Sequence, residues 1–395
     1  MTRLCAAIAL VCLAGCSDDT SPDRDVQDAD ATDSTEVEVR DAPDAEAPPD
    51  SETTDTADAE GTDAPDLDAT DAPDAFDDGT APGTLFDDMV LGTSGGSLVL
   101  PDGSPVDFRG AISCCMGAFG WPLFDEAWVD YVAAKAVTFL HLRLGPFLTG
   151  DGGESDWAAV GGGYVETGGR ADLETWNEAF WSRVRALLEY AGDRGMWVEV
   201  DVADGWAIKH CRWGDTPGYS AWDAAGNIQA EDWCATAGSR EISGGDVHEA
   251  WVRKVVRETG RYGNVLYQDG NEIGLVDGYV PEWTLSIRNI LRDEEMRNGY
   301  RAHLLGTNSG DAVTMQAEGV AYIEFHGDTA PDPASCYGRP CLSNEYNPSP
   351  PMTPDELHGQ FCAARTAGTY FWYWRHEQTD IDMEQTLSLI QAGCG

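Results

Sequence analysis

Val265-Leu-Tyr-Gln-Asp-Gly-Asn-Glu-Ile-Gly274 is a short apolar run that ends on a polar pair, Asn271-Glu272, and then a glycine. Just upstream, His248 to Tyr262 reads as an amphipathic helix, with Trp251, Val252, Val255 and Val256 on one side. Arg253, Lys254, Arg257 and Glu258 lie largely on the other. Gly263-Asn264 breaks the pattern, and Val265-Leu266-Tyr267 restarts it as a strand. Helix, turn, buried strand, then polar residues at the strand's C-terminal end is the half-unit of a parallel α/β fold. In a (β/α)8 barrel that end is where catalytic groups sit.

The same unit recurs on both sides of this stretch. Asp125 to Ala136 reads as a helix before a strand over Val137 to Leu144. In that strand Leu140, Leu142 and Leu144 share one parity, suited to outer helices, while Phe139, His141 and Arg143 share the inward one. Trp176 to Arg194 is the next helix, and Gly195 to Val202 the third strand, with Glu199 and Asp201 opposite its valines. Asp201 would line the cleft. Downstream, Pro281 to Asn298 is a helix, and strands follow at Ala302 to Asn308 and Val320 to His326. Two more occur within Arg339 to Pro348 and over Gly368 to Trp374. Ser97 to Gly110 reads as a hairpin turning at Asp102-Gly103 and running into the first strand. Residues 150–171 and 207–246 read as long loops. The expected architecture is a single (β/α)8 TIM barrel over residues 83–395, preceded by an N-terminal β-hairpin.

The run from Gly260 to Gly274 resembles the fourth strand of the clan A glycoside hydrolases, retaining (β/α)8 enzymes that include cellulases and mannanases. The resemblance implies that Glu272 is the general acid/base and that Asn271 contacts the sugar beside it. Arg339-Pro-Cys-Leu-Ser-Asn-Glu-Tyr-Asn-Pro348 resembles the clan's seventh strand and implies Glu345 as the nucleophile. Clan A enzymes often carry an arginine on strand two that supports the nucleophile, and His141 or Arg143 would take that part. The clan places a Tyr or His near the nucleophile at the level of His326. It commonly uses a strand-eight tryptophan as the floor of the sugar site, a role that falls to Trp372 or Trp374.

Two carboxyl groups suit this chemistry. Glu345 would attack the anomeric carbon while Glu272 protonates the departing oxygen and later activates water. The implied activity is retaining hydrolysis of a β-linked polysaccharide or oligosaccharide. The competing reading is a non-catalytic glycan-binding or adhesion protein on the same scaffold. A serine esterase is disfavoured because no G-x-S-x-G elbow occurs.

The net charge is −46 in 395 residues. Residues 17–78 hold 24 of the 70 acidic side chains against Arg24 and Arg40 alone, yet the remainder is acidic too. That balance argues against nucleic acid as a ligand. Met1 to Leu13 has a short basic start and an apolar run too short to span a bilayer. Leu13-Ala-Gly-Cys16 looks like a bacterial lipobox, so residues 1–15 are expected to be a lipoprotein signal peptide with Cys16 acylated. Residues 16–82, rich in Asp, Ala, Thr and Pro, are expected to be a disordered acidic linker. The expected location is the outer membrane or cell surface, and the expected form a monomer. Eight cysteines follow the signal region, which in an exported chain points to disulfides. Nearest-neighbour pairing gives Cys211–Cys234, Cys336–Cys341 and Cys362–Cys394. No metal-binding spacing is present, and neither a metal nor a cofactor is expected.

Overall fold

The computed structural model describes residues 84–111, 126–144, 163–166, 171–203, 246–275, 281–327, 332–346, 352–373, 388 and 391–394. The chain divides into two units, Met1–Thr80 and Ala81–Gly395, and every described residue belongs to the second. In chain order, β1 (Gly92–Ser94), β2 (Ser97–Val99) and β3 (Gly110–Ala111) precede α1 (Glu126–Ala134) and β4 (Phe139–Arg143). β5 (Tyr164–Glu166), β6 (Ala171–Trp176), α2 (Glu178–Gly192) and β7 (Trp197–Asp201) follow. Next come α3 (Asp246–Thr259), β8 (Val265–Gln268), α4 (Pro281–Asn298), β9 (Leu305–Thr307) and α5 (Ala312–Met315). β10 (Tyr322–Gly327), β11 (Cys341–Tyr346), α6 (Pro354–Thr366) and β12 (Thr369–Tyr373) complete the series.

Eight strands form one sheet in the order β3-β12-β11-β10-β9-β8-β7-β4, with every pairing parallel. From β4 to β12 the sequential strands of this sheet are neighbours, as helical crossovers dictate, and β12 pairs back with β3. β3 and β4 share no ladder among the described residues. Just before both begin, however, the Thr138 N–H donates to Arg109 O at 2.8 Å. Thr138 Oγ1 donates to Asp107 O at 2.8 Å and accepts from the Arg109 N–H at 2.9 Å.

Side-chain parity divides the core into two. Leu140, Leu142, Leu144, Val198, Val200 and Val202 pack outward against Trp181 and Val184 of α2 and Trp251 and Val255 of α3. The opposite rows begin apolar: Phe139, Trp197, Leu266, Tyr322 and Leu342 gather with Phe108 and the N-terminal Met89, Leu91, Leu98 and Val106. These five stand at or next to the first residue of their strands, so the N-terminal segment covers that end. Trp197 Nε1 fastens it by donating to Met89 O at 2.9 Å. Gly263 allows the close approach, since a Cβ there would lie 2.2 Å from Phe86 O. Further along, the inner rows turn polar, with His141, Glu199, Asp201, Gln268 and Glu324 all buried. The apolar end excludes water and the polar end gathers chemistry.

Three local features differ from the sequence expectations. The N-terminal segment turns twice, at Gly95-Gly96 between antiparallel β1 and β2, and again where the Gly103 N–H donates to Leu100 O at 2.9 Å. The stretch expected as loop over 150–171 contributes β5, which pairs antiparallel with β6. There the Tyr164 ring stacks on Trp176 at 4.4 Å and meets Trp251 at 5.8 Å. On α3, Lys254 and Glu258 are buried rather than on the solvent side. Lys254 Nζ lies 2.6 Å from Glu258 and 2.8 Å from Glu178 of α2, and Glu258 also pairs with Arg185. The other flank of α3 reaches α4, where Arg253 and Arg257 meet Glu294 at 2.8 and 2.6 Å. A helix wedged between two helices buries a wider arc than a one-sided stripe predicts.

Disulfides join Cys336 to Cys341 and Cys362 to Cys394. Cys211 and Cys234 lie outside the described residues. Thr353 and Glu356 form a reciprocal capping box that, with Pro354 behind it, starts α6.

Candidate active site

The connection after β8 is built by Asp269. Its backbone N–H donates to Gly306 O at 3.1 Å, continuing the ladder toward β9. Its carboxylate accepts from the Gly270 N–H at 2.9 Å, Thr307 Oγ1 at 2.7 Å, Thr284 Oγ1 on α4, and the Asn308 backbone. Burial pushes the Asp269 pKa up to about 7, with those four hydrogen bonds pulling against it. Next, the Asn271 N–H donates to Ala203 O at 3.0 Å, and Asn271 is buried. Glu272 is half-buried with φ 49°, a left-handed conformation that costs a residue bearing a Cβ. Gly274 then slides beneath Ser309, where a Cβ would lie 1.7 Å from the carbonyl oxygen. The turn is therefore wedged between the residues following β7 and β9.

Beside it lies a buried acid network. His141 Nε2 is 2.7 Å from Asp201 Oδ1 and 3.9 Å from Glu199 Oε2. Tyr322 Oη contacts Glu199 Oε1 and Tyr267 O, both at 2.7 Å. Glu199 and Glu324 are hydrogen-bonded to each other, a contact between two carboxyls that requires a proton. Burial raises both, against the pull of His141 on Glu199. Burial and the Glu199 charge raise Glu324 well above the ordinary carboxylate range, so the pair shares a proton. The Gln268 amide, fully buried in the neighbouring row, meets no hydrogen-bond partner among the described residues.

Across the sheet, the register of β11 shifts. Phe325 pairs with Ser343, but His326 pairs with Glu345, so Asn344 is skipped against β10. On the other side Ser343 pairs with Phe371 and Tyr346 with Tyr373, the same extra residue seen from β12. This bulge sets the Cα of Glu345 beside that of His326, a place Asn344 would otherwise occupy. Arg143 is in register with Asp201, and Trp372 with Gly110. The side chains of Arg143, His326, Glu345 and Trp372 lie outside the described residues, as do Trp374 and Cys16 entirely.

The structure thus brings His141 and Asp201 into contact and wedges Asn271 and Glu272 after β8. Sequence reasoning passed over Gln268, Asp269 and Glu324. For Glu324 the signal was present, because it shares strand parity with His326. The ligand atoms of His141, Glu199 and Asp201 lie within 4.8 Å of one another, close enough to hold a metal ion. His141 Nε2 is already engaged by Asp201 Oδ1, and Glu199 Oε1 by Tyr322 Oη, each at 2.7 Å. The second such group, His358, Cys362 and Cys394, has its sulfurs joined in a disulfide and so offers no thiolate.

No protein-family model matches the sequence, and no curated protein does. Solved structures do resemble it. A putative glycoside hydrolase from Bacteroides vulgatus gives a TM-score of 0.51 at 12% identity, covering 74% of this chain and 55% of that one. The glycoside hydrolase family 5 mannosidase from Rhizomucor miehei gives 0.50 at 10% identity, covering 73% and 86%. The endoglucanase Cel5A catalytic domain from Thermobifida fusca, bound to cellotetraose, gives 0.46 at 14%, covering 74% and 86%. By the first two of these, the fold of this chain is similar to that of glycoside hydrolases, among them a family 5 mannosidase.

Proposed function

We propose that this chain is a retaining glycoside hydrolase on a closed (β/α)8 barrel, with Glu345 as nucleophile and Glu272 as acid/base. The observation that carries the reading is one of placement. Counted from β3, β8 is the fourth strand and β11 the seventh, and both glutamates stand at the C-terminal edge of one parallel sheet. That edge is also where the inner rows become polar. Hydrogen bonds between Arg109 and Thr138 support closure of the remaining gap.

In this mechanism Glu345 attacks the anomeric carbon and forms a glycosyl ester while the Glu272 proton passes to the leaving oxygen. Glu272 then takes a proton from water, whose oxygen breaks the ester and regenerates both residues. Asn271, His141 or Arg143, Asp201 and His326 line the pocket, and Trp372 or Trp374 offers a ring face to a sugar. The substrate class is a β-linked polysaccharide. Residues 1–15 direct export, Cys16 carries the lipid anchor, and the acidic stretch to residue 82 is the stalk.

Release of reducing ends from cellulose, β-mannan, xylan and β-1,3-glucan tests the reading. Wild type cleaves one of them, and both Glu345→Ala and Glu272→Ala lose turnover by at least about a thousandfold. Azide restores Glu345→Ala with inverted product and Glu272→Ala with retained product. Glycan binding without turnover by wild type would instead indicate the non-catalytic scaffold. Loss of membrane retention in Cys16→Ala tests the anchor.

A further inference from the structure

Asp269 is a fully buried carboxyl whose neighbours among the described residues bring donors but no cation. Its partners come from separate elements: Thr284 from α4, Thr307 from the end of β9, Asn308 just beyond, and Gly270 from its own turn. Two strands over, on β10, stands Glu324, whose pKa the Asp269 charge helps to raise. A buried carboxylate is costly where an amide or a hydroxyl would have served the packing. Three residues further on, Glu272 is held in a left-handed conformation that its Cβ disfavours. A strained backbone persists where its surroundings over-determine it, and such strain clusters at functional sites.

We propose that Asp269 is a positioning residue, whose carboxylate clasps the segment after β8 to β9 and α4 and so holds Glu272 in the backbone conformation from which it serves the glycosidic oxygen. This rests on the glycosidase reading and assigns the support of its acid/base. The hydrogen bonds favour the ionised form, while burial favours the protonated one. The ionised form accepts four hydrogen bonds, whereas a protonated carboxyl adds a fifth proton to a ring of donors. With burial holding Asp269 at about 7, the clasp tightens as pH rises through neutrality and slackens below it.

Asp269→Asn tests this, using β-mannan or carboxymethylcellulose, whichever wild type hydrolyses. The side chain keeps its shape, and the amide replaces an acceptor with a donor. The expected result is a kcat loss of about tenfold to a hundredfold with KM within about threefold, because the misplaced group acts in the chemical step. The wild-type fall in kcat toward acid near pH 7 disappears in the variant, and Tm at pH 8 does not drop. Thr284→Val lowers kcat in the same sense, Thr284→Ser restores it, and both decide the matter should Asp269→Asn not fold. A kcat loss that follows Tm across these variants, or an unchanged kcat and pH profile, overturns the clasp. Glu272→Gln separates the two ideas. Full activity in Glu272→Gln removes the glycosidase reading, whereas a hydrolase that needs Glu272 and ignores Asp269 loses only the clasp.

Discussion

The charge on Asp269 should make the protein less stable as pH rises, and its removal should reverse that trend. In the folded chain burial holds this group at about 7, against an ordinary aspartate value of 3.8 when unfolded. Between those values the folded state keeps a proton that the unfolded state has released. Stability therefore falls with rising pH across that window. Each unit of difference is worth about 1.4 kcal/mol, so the whole window is worth about 4 kcal/mol. Asp269→Asn does not titrate. At pH 4.5 it should lie within about 1 kcal/mol of wild type, since one neutral hydrogen-bonding group replaces another of equal size. By pH 8 it should be the more stable protein by about 3–4 kcal/mol. Urea unfolding of both proteins at half-unit intervals measures this as a difference of curves. Acids whose titration is independent of Asp269 cancel in that difference, while Glu324, raised in part by the Asp269 charge, moves in the same sense. Two curves that stay parallel from pH 4.5 to 8 would refute the buried, cation-free setting assigned to this carboxyl.

Two further outcomes bear on the scaffold. Lys254→Met leaves the buried Glu258 with Arg185 as its remaining described cation and should cost about 3 kcal/mol in urea unfolding, whereas Glu249→Gln, at an exposed partner of Arg253, should cost less than about 0.5 kcal/mol. Replacing Cys362 and Cys394 with serine opens a crosslink between residues 32 apart and should lower stability by about 3–4 kcal/mol, read as a drop in Tm relative to wild type without reductant.

The order of the parallel strands was legible because parity is a local property. Leu140, Leu142 and Leu144 declare an outer face, and Gly263-Asn264 or Gly195 marks each break. Other features depend on partners distant in sequence. Asp269-Gly270 looks like ordinary turn chemistry, and nothing nearby announces that Thr284 and Thr307 will surround the carboxyl. Lys254 and Glu258 look like solvent-facing charges until α2 and α4 close on both flanks of α3. β5 escaped notice because its three residues sit within a glycine-rich stretch, and their worth lies in Trp176, Trp181 and Trp251 rather than in their own pattern. The bulge in β11 leaves no trace in composition at all.

That bulge makes strand length, and not only residue identity, a carrier of function. If the chain lost a single amino acid between Ser343 and Tyr346, the ladders with both neighbours could run uninterrupted, and hydrogen bonding within the sheet would improve. Losing Asn344 would leave Glu345 beside His326 on an unbroken ladder, whereas losing Glu345 would hand that place to Asn344. Homologous strands compared by simple counting would come out one place adrift at this point. Loss of one residue here therefore decides whether a carboxylate or an amide stands beside His326, with no substitution anywhere in the protein.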